Sequence, residues 1–188
     1  MKIRWLGNSC LEITDSNNLL IDPHFIKKPE SSPDYILVTH EHDDHINPEQ
    51  ISPYLEETSL FGPQTTLAKF DLPGTAVTPG EKIADIKVLE SYCWGSEESV
   101  SYYYNGLLHT GDPAQYPMVD DVKIIFTACF PDYYDEYIDA FNKLKPDIVI
   151  PFHYDVEEDI EDAKGLIKRL TTENINAKLL ALGDSISI

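Results

Sequence analysis

Apolar residues in this chain fall in short runs cut by turn-forming residues, a pattern of many strands with a few helices between them. "KIRWLG" (2–7) and "CLEIT" (10–14) read as two strands separated by a break at Gly7-Asn8, and "DSNN" (15–18) as a turn. "LLID" (19–22) is a short buried strand stopped by Pro23, and "YILVT" (35–39) is apolar enough for a strand covered on both faces. "SLFG" (59–62), "TAVTPG" (75–80) and "IKVLES" (86–91) predict further strands. "SVSYYYNGLLHTGD" (99–112) predicts a hairpin turning at Asn105-Gly106 and ending in a polar tip. "VKIIFTACF" (122–130), "DIVIPFH" (147–153), "AKLLAL" (177–182) and "SISI" (185–188) complete the strand set.

Helical spacing appears three times. "NPEQISPYLEE" (47–57) has Asn47 as N-cap, Pro48 in the first turn and Gln50 at the capping-box position. Residues 134–145 place Tyr137, Phe141 and Leu144 on one face. "DVEEDIEDAKGLIKRL" (155–170) has the stripe Ile160, Ala163, Ile167 and Leu170, with acidic residues crowding its first turn, where the helix dipole favours them. Helices are interspersed among strands without strict alternation, which predicts a mixed α/β layered fold, not a Rossmann-type sheet. No repeat, linker or low-complexity tract interrupts the chain, so residues 1–188 are expected to form one domain.

Charge narrows the partners. With 14 Lys+Arg against 33 Asp+Glu the formal net charge is −19, a field that repels nucleic acid and anionic membranes. No apolar run approaches the roughly 20 residues that span a bilayer. The first residues lack a signal-peptide pattern, and three scattered cysteines (Cys10, Cys93, Cys129) do not make a disulfide framework. A cytoplasmic protein with reduced thiols and a small-molecule substrate is the expectation.

One stretch departs from this ordinary composition. "VTHEHDDHINP" (38–48) puts three histidines and three acidic residues into positions 40–45. On an extended segment His40 and His42 point the same way and can meet one ion, while Asp44 and His45 can meet another. A merely solvated acidic loop would leave this spacing unexplained, and bound cations would offset the carboxylate repulsion. Other polar residues also fall just after strands: Asp22, Asp112 and His153. Taken singly, Asp112 is simply a turn residue after Gly111, and His153 a strand-end histidine.

His40-x-His42-x-Asp44-His45 is similar to the signature of the metallo-β-lactamase-fold hydrolases. "WLGNSCLEI", "LLIDP", "YILVTHEHDDH", "VTPGE", "LLHTGD" and "IVIPFHYD" follow in the order of the branch containing ascorbate-6-phosphate lactonase and many metal-dependent hydrolases. The likeness covers most of the chain and is weak over 54–75 and 130–140. It implies a four-layer αββα sandwich with two metal ions, zinc foremost with manganese or iron as alternatives, at one edge of the paired sheets. It implies His40 and His42 on the first metal, Asp44 and His45 on the second, Asp112 bridging, His153 completing the second site and Asp22 supporting from behind. It also implies catalysis by a water activated between the metals, with Asp112 orienting it and Asp44 passing a proton, on a small ester, lactone or phosphoester. Members of the family often form homo-oligomers.

The sequence departs from that pattern at three places. The family's further histidine on the first metal is missing from "IKVLESYCWGSEESVSYYY"; by register Cys93 falls at or beside its position. Cys93 is either a zinc-binding thiolate or a small buried thiol. His109, His24 or no protein side chain are the alternatives, the last giving a single-metal enzyme. Asn8 stands where the family often has histidine, and "TACFPDYYDE" replaces a Gly-rich loop, so sugar-phosphate recognition is not carried over. Tyr133, Tyr134, Tyr92, Trp94 and Phe130 could wall an aromatic pocket, although core packing is the simpler reading of any one of them. A degenerate metal-binding protein without turnover, a nuclease and a di-iron redox protein are competing functions. The charge counts against the nuclease, and His42 against the di-iron branch, which has Glu there.

Overall fold

In the computed structural model, which describes residues 1–188, the period-two alternation of the first strands sends neighbouring side chains into two different cores. The strands are β1 (Lys2–Gly7), β2 (Cys10–Thr14), β3 (Asn18–Ile21) and β4 (Tyr35–Leu37). Leu6, Cys10, Leu20, Ile36 and Val38 face outward, where they meet Ile51 of helix α1 (Pro48–Ile51) and Leu67 of α2 (Gln64–Lys69). Ile3, Trp5, Leu11, Ile13, Leu19, Ile21 and Leu37 face the larger core, shared with a second sheet. With β5 (Ser59–Gly62), β6 (Thr75–Ala76) and the C-terminal β13 (Ser185–Ser187), the first sheet has seven strands in the order β13-β1-β2-β3-β4-β5-β6.

The second sheet has six strands. These are β7 (Lys82–Ile83), β8 (Ile86–Ser91), β9 (Ser99–Tyr104), β10 (Leu107–His109), β11 (Ile124–Thr127) and β12 (Ile148–Pro151), ordered β12-β11-β10-β9-β8-β7. Helices α3 (Tyr134–Leu144) and α4 (Ile160–Thr172) cover its outer face with Tyr137, Phe141, Leu144, Ala163, Leu166 and Leu170. The four layers run helix, sheet, sheet, helix, as expected. The β9–β10 hairpin turns at Asn105-Gly106, both with positive φ, as a tight two-residue turn requires.

Strand direction positions the polar residues. β3, β4 and β5 are mutually parallel, as are β10, β11 and β12, so within each set the carboxyl ends emerge at one edge. The sheets touch there: His40 forms an isolated bridge with Ser99, and Val100 N–H donates to Thr39 O (2.9 Å).

Three expectations need correction, and two short elements had none. "AKLLAL" is not a strand; it touches the sheet only through the Val149–Ala177 bridge and flanking hydrogen bonds, because its residues leave the extended line of β12. Helix α4 begins at Ile160 and buries Leu166, while Ile167 is only half-buried, so its stripe is rotated by one position. Gln50 does not close a capping box: its side chain binds the backbone of Phe25 on both sides, and Asn47 alone caps α1. Helix α2 and strand β7 had no signal in the sequence pattern, being short and flanked by polar residues.

Candidate metal centre

The carboxyl end of β4 begins the site. Val38 N–H still pairs with Phe61 O, but Thr39 N–H is taken by Asp22 Oδ1 (2.7 Å), so the ladder ends and the chain turns outward as His40–His45. Asp22 is fully buried at the end of β3 and sits at φ +48°, a conformation that Asp tolerates better than most residues. His153, two residues beyond β12, is also left-handed at φ +58°, and its N–H donates to Asn8 O (3.0 Å). Gly111 has φ +64°; a Cβ there would lie 3.1 Å from Thr39 Oγ1, so glycine lets the Asp112 turn close on β4. Backbone strain of this kind concentrates at functional sites.

Two clusters of donor atoms result. His40, His42, Cys93 and Asp112 form the first and Asp44, His45 and His153 the second; within each, the donor atoms lie within 4.8 Å of one another. In the first, His40 Nε2 is 3.0 Å from His42 Nδ1 and 3.3 Å from Asp112 Oδ1, and Cys93 Sγ is 3.8 Å from His42 Nδ1. In the second, His45 Nε2 is 3.1 Å from His153 Nε2, which is 3.1 Å from Asp44 Oδ2. Asp112 Oδ1 lies between them, 3.6 Å from His45 Nε2, and is buried without any hydrogen bond.

The surrounding hydrogen bonds turn the ring nitrogens inward. His45 Nδ1 is 2.8 Å from Asp22 Oδ2 and Thr39 Oγ1 donates to the same oxygen (2.8 Å). Thr39 Oγ1 then accepts from His40 Nδ1 (3.0 Å). A carboxylate behind His45 and a hydroxyl behind His40 engage both Nδ1 atoms and turn both Nε2 atoms toward Asp112, where a bound cation would take the place of a proton on Nε2, the arrangement metal-binding histidines use. Lone pairs from imidazole, thiol and carboxylate converging on one spot repel one another unless a cation lies among them, and this mixture of donors suits zinc or a similar divalent ion. The donor set therefore fits the expected metals.

Electrostatics agrees. Burial opposes a charge on His45, but Asp22, Asp112 and Asp44 overcome it and raise its pKa to about 9. Burial, reinforced by His45 and His42, drives the His40 pKa far down. The hydrogen bond from His153 holds the Asp44 carboxyl well below the usual range, despite partial burial. Burial and the Asp112 carboxylate push the Cys93 thiol up. The metal-free centre thus favours one positive charge among these carboxylates.

Every sequence-predicted ligand falls in one of the two clusters, whereas His109 and His24, the alternatives to Cys93, lie near this edge but in neither. His109 donates from Nε2 to Ser9 O (2.8 Å) and accepts Gly111 N–H at Nδ1 (3.3 Å), so both ring nitrogens are used. His24 Nδ1 lies 2.9 Å from the backbone oxygen of Asp43, outside both clusters. Among the aromatic residues, Trp94, Phe130 and Tyr133 line a cavity beside Asp112. Tyr92 stacks edge-on against Trp94, whereas Tyr134 instead hydrogen-bonds Asp162 O on α4, a helix-packing role. Thr39, Ser9 (Oγ 3.1 Å from His45 Nδ1) and Glu41 escaped sequence reasoning. Glu41 accepts from Ser96 Oγ (2.9 Å) and Glu97 N–H (2.6 Å), fastening the loop that carries Cys93 and Trp94. Its place between two ligand histidines was the signal available for it.

The Beta-lactamase superfamily domain model matches residues 2–153. The chain is 25% identical over an alignment 228 positions long, gaps included, to a UPF0173 metal-dependent hydrolase of Methanoculleus marisnigri, covering 100% of this chain and 97% of the relative. It is 28% identical over 192 residues to a metal-dependent hydrolase of Nanoarchaeum equitans, covering 82% and 84%. Among solved structures it resembles Igni18, a metallo hydrolase of Ignicoccus hospitalis (TM-score 0.76, 16% identity, 98% and 97% covered). It also resembles CmlA, a diiron β-hydroxylase of Streptomyces venezuelae (TM-score 0.70, 13% identity), covering 100% of this chain and 54% of CmlA. These two likenesses concern the fold.

Proposed function

The chain belongs to the beta-lactamase superfamily, and from that premise we propose that it is a metal-dependent hydrolase holding two divalent cations and cleaving a small ester, lactone or phosphoester. Zinc is the first choice of metal, with manganese or iron as alternatives. His40, His42, Cys93 and Asp112 would hold one cation, and Asp44, His45 and His153 the other, with Asp112 shared. The observation that carries this reading is Asp112 Oδ1, a buried carboxylate oxygen with no hydrogen bond, facing Nε2 of both His40 and His45. When bound, such cations supply Lewis acidity and lower the pKa of water to about 7.

The protein's own contribution is orientation and proton handling. Asp22 and Thr39 hold the His45 and His40 rings in the tautomers that present Nε2. Asp44 is 52% exposed at its side chain and bridges from His153 to solvent, so it is placed to hydrogen-bond the water and the leaving group between which a proton must pass. The net charge of −19 disfavours a polynucleotide substrate. The same fold without turnover, as a metal-binding protein, is the second reading, favoured by the replacement of a histidine by Cys93.

The test is metal content per chain by elemental analysis, on untagged protein purified without added metal, for wild type and Cys93→Ala. Two ions in wild type and one in the variant support the assignment. Two ions in both remove Cys93 from the ligand set, and fewer than two in wild type remove the dinuclear reading. Hydrolysis of ester, lactone and phosphodiester panels by the loaded protein separates the enzyme from the non-catalytic reading.

A further inference from the structure

Beside Asp112 lies a cavity of about 320 Å³, near the small end of the roughly 300–1,000 Å³ typical of small-molecule sites. Its walls include Trp94, Tyr116, Phe130, Tyr133 and Tyr137, contributed by three separate parts of the chain. Trp94, Phe130 and Tyr133 are 63%, 38% and 39% exposed, an unusual cost for three large apolar rings unless something covers them in use. They are not scattered. Phe130 meets the His153 ring edge-on (5.6 Å between centroids), Tyr133 packs near Tyr137 (6.5 Å), and Tyr137 meets Tyr116 edge-on (5.8 Å). The aromatic wall is therefore continuous with the candidate metal centre. Asp112 and Glu136 are the charged side chains of the lining, and neither Lys nor Arg contributes to it.

We infer that the cavity takes a flat apolar group, about one ring in size and carrying no negative charge, attached beside a scissile acyl bond, so that the substrate is a neutral or cationic ester or lactone. This rests on the hydrolase reading and narrows it. Aromatic walls reward a flat apolar partner through offset and edge-on contacts. Glu136, the lining carboxylate not placed on a cation, repels a negatively charged substituent on that group, and no guanidinium or ammonium group lines the wall to hold one. In the reaction, water's oxygen joins the acyl carbon, the acyl C–O bond breaks and the leaving oxygen takes the proton. Glu136 at the rim favours a cationic over an anionic substituent.

The chain has two tryptophans, and Trp5 is buried, so fluorescence of the exposed Trp94 reports on the cavity without metal or turnover. Metal-stripped protein is titrated with phenylacetamide, acetamide and phenylacetate. Saturable quenching by phenylacetamide, about tenfold tighter than by either of the others, is expected, with at least about a fivefold weakening in Phe130→Ala and Tyr133→Ala. Absence of that quenching, or equal quenching in both variants, overturns the inference. The metal-loaded protein is then assayed on methyl phenylacetate, phenyl acetate, methyl acetate, monomethyl succinate and phenyl phosphate. At least one aryl ester should exceed methyl acetate and monomethyl succinate about tenfold in kcat/KM. Faster turnover of monomethyl succinate or phenyl phosphate overturns the inference. Saturable quenching with no turnover of these compounds or of the ester, lactone and phosphodiester panels supports the cavity assignment and sinks the hydrolase reading, which keeps the two failures apart.

Discussion

Glu12, buried on β2, and Asp112, half-buried just beyond β10 with its Oδ1 fully enclosed, are carboxylates with opposite surroundings. Glu12 Oε1 accepts from Glu30 N–H (2.7 Å), Ser31 N–H (2.8 Å) and Ser31 Oγ (2.9 Å), and Oε2 accepts from Arg4 Nη1 (3.0 Å). Arg4 in turn reaches Gly183 O and Lys28 O, so one ion pair ties β1, β2, the 28–31 loop and the C-terminal segment together. Asp112 Oδ1 has no hydrogen bond at all, and the nearest groups are histidine nitrogens. A fully paired carboxylate works for the fold; one left unpaired amid other donors marks where the fold has given up stability to bind something else. The distinction that matters is one of partners: an enclosed oxygen of Glu12 is paired, and the enclosed oxygen of Asp112 is not.

The comparison breaks most sharply at Asp112. Asp112→Asn should lower kcat/KM by on the order of 10³-fold, the several kcal/mol that charge stabilisation at a metal centre supplies. The unfolding free energy of the metal-free protein should move by less than about 1 kcal/mol. A loss of stability as large as the loss of activity would show that Asp112 is structural after all. Asp22→Asn is the intermediate case. It keeps the side-chain shape and the positive φ but weakens the acceptor behind His45, and metal affinity measured by competitive chelation should fall roughly 10–100-fold. Unchanged affinity would remove Asp22 from its orienting role.

Glu12→Ala should do the reverse of Asp112→Asn. Leaving Arg4 half-buried with only the exposed Glu30 to pair with should cost about 3 kcal/mol in urea unfolding, while metal content and kcat/KM stay at wild-type values. The smallest effect is in pH. Burial works against the charge on Glu12, but the donors from Ser31, Arg4 and Glu30 hold its pKa below the ordinary glutamate value of about 4.3. A lowered folded-state pKa contributes stability that is complete above the unfolded value and lost as pH falls through the folded one. Between about pH 5 and 3 the wild-type unfolding free energy should therefore fall more steeply than that of Glu12→Gln. Parallel slopes would assign the acid sensitivity to other carboxylates.

Much of the candidate centre was legible beforehand because most of its donor residues are local. His40, His42, Asp44 and His45 lie within one strand-end segment, where spacing alone restricts their directions. Asp112 and His153 were legible only as members of an ordered set, since each alone has a plain reading as a turn or strand-end residue. What escaped was whatever depends on partners distant in sequence. The pairing of Glu41 with Ser96 and Glu97 spans about half a hundred positions and has no periodic signature. The same holds for Thr39, whose role depends on Asp22 lying behind it. The rotated stripe of α4 likewise depends on the neighbour it meets, which decides which side of an amphipathic helix is buried.

By itself, the sequence determined the order of strands and helices, the layered class, the acidic surface and the clustering of ligand-type residues after apolar strands, because hydrophobic periodicity and residue chemistry are local quantities. Tertiary structure alone decided that two sets of parallel strands end at one edge and that His109 turns both nitrogens to the backbone while Cys93 Sγ stands 3.8 Å from His42. It likewise brought Trp94, Phe130 and Tyr133 to a common wall beside Asp112. Those outcomes depend on which distant segments pack together, and packing is a property of the whole core that no window of the chain contains.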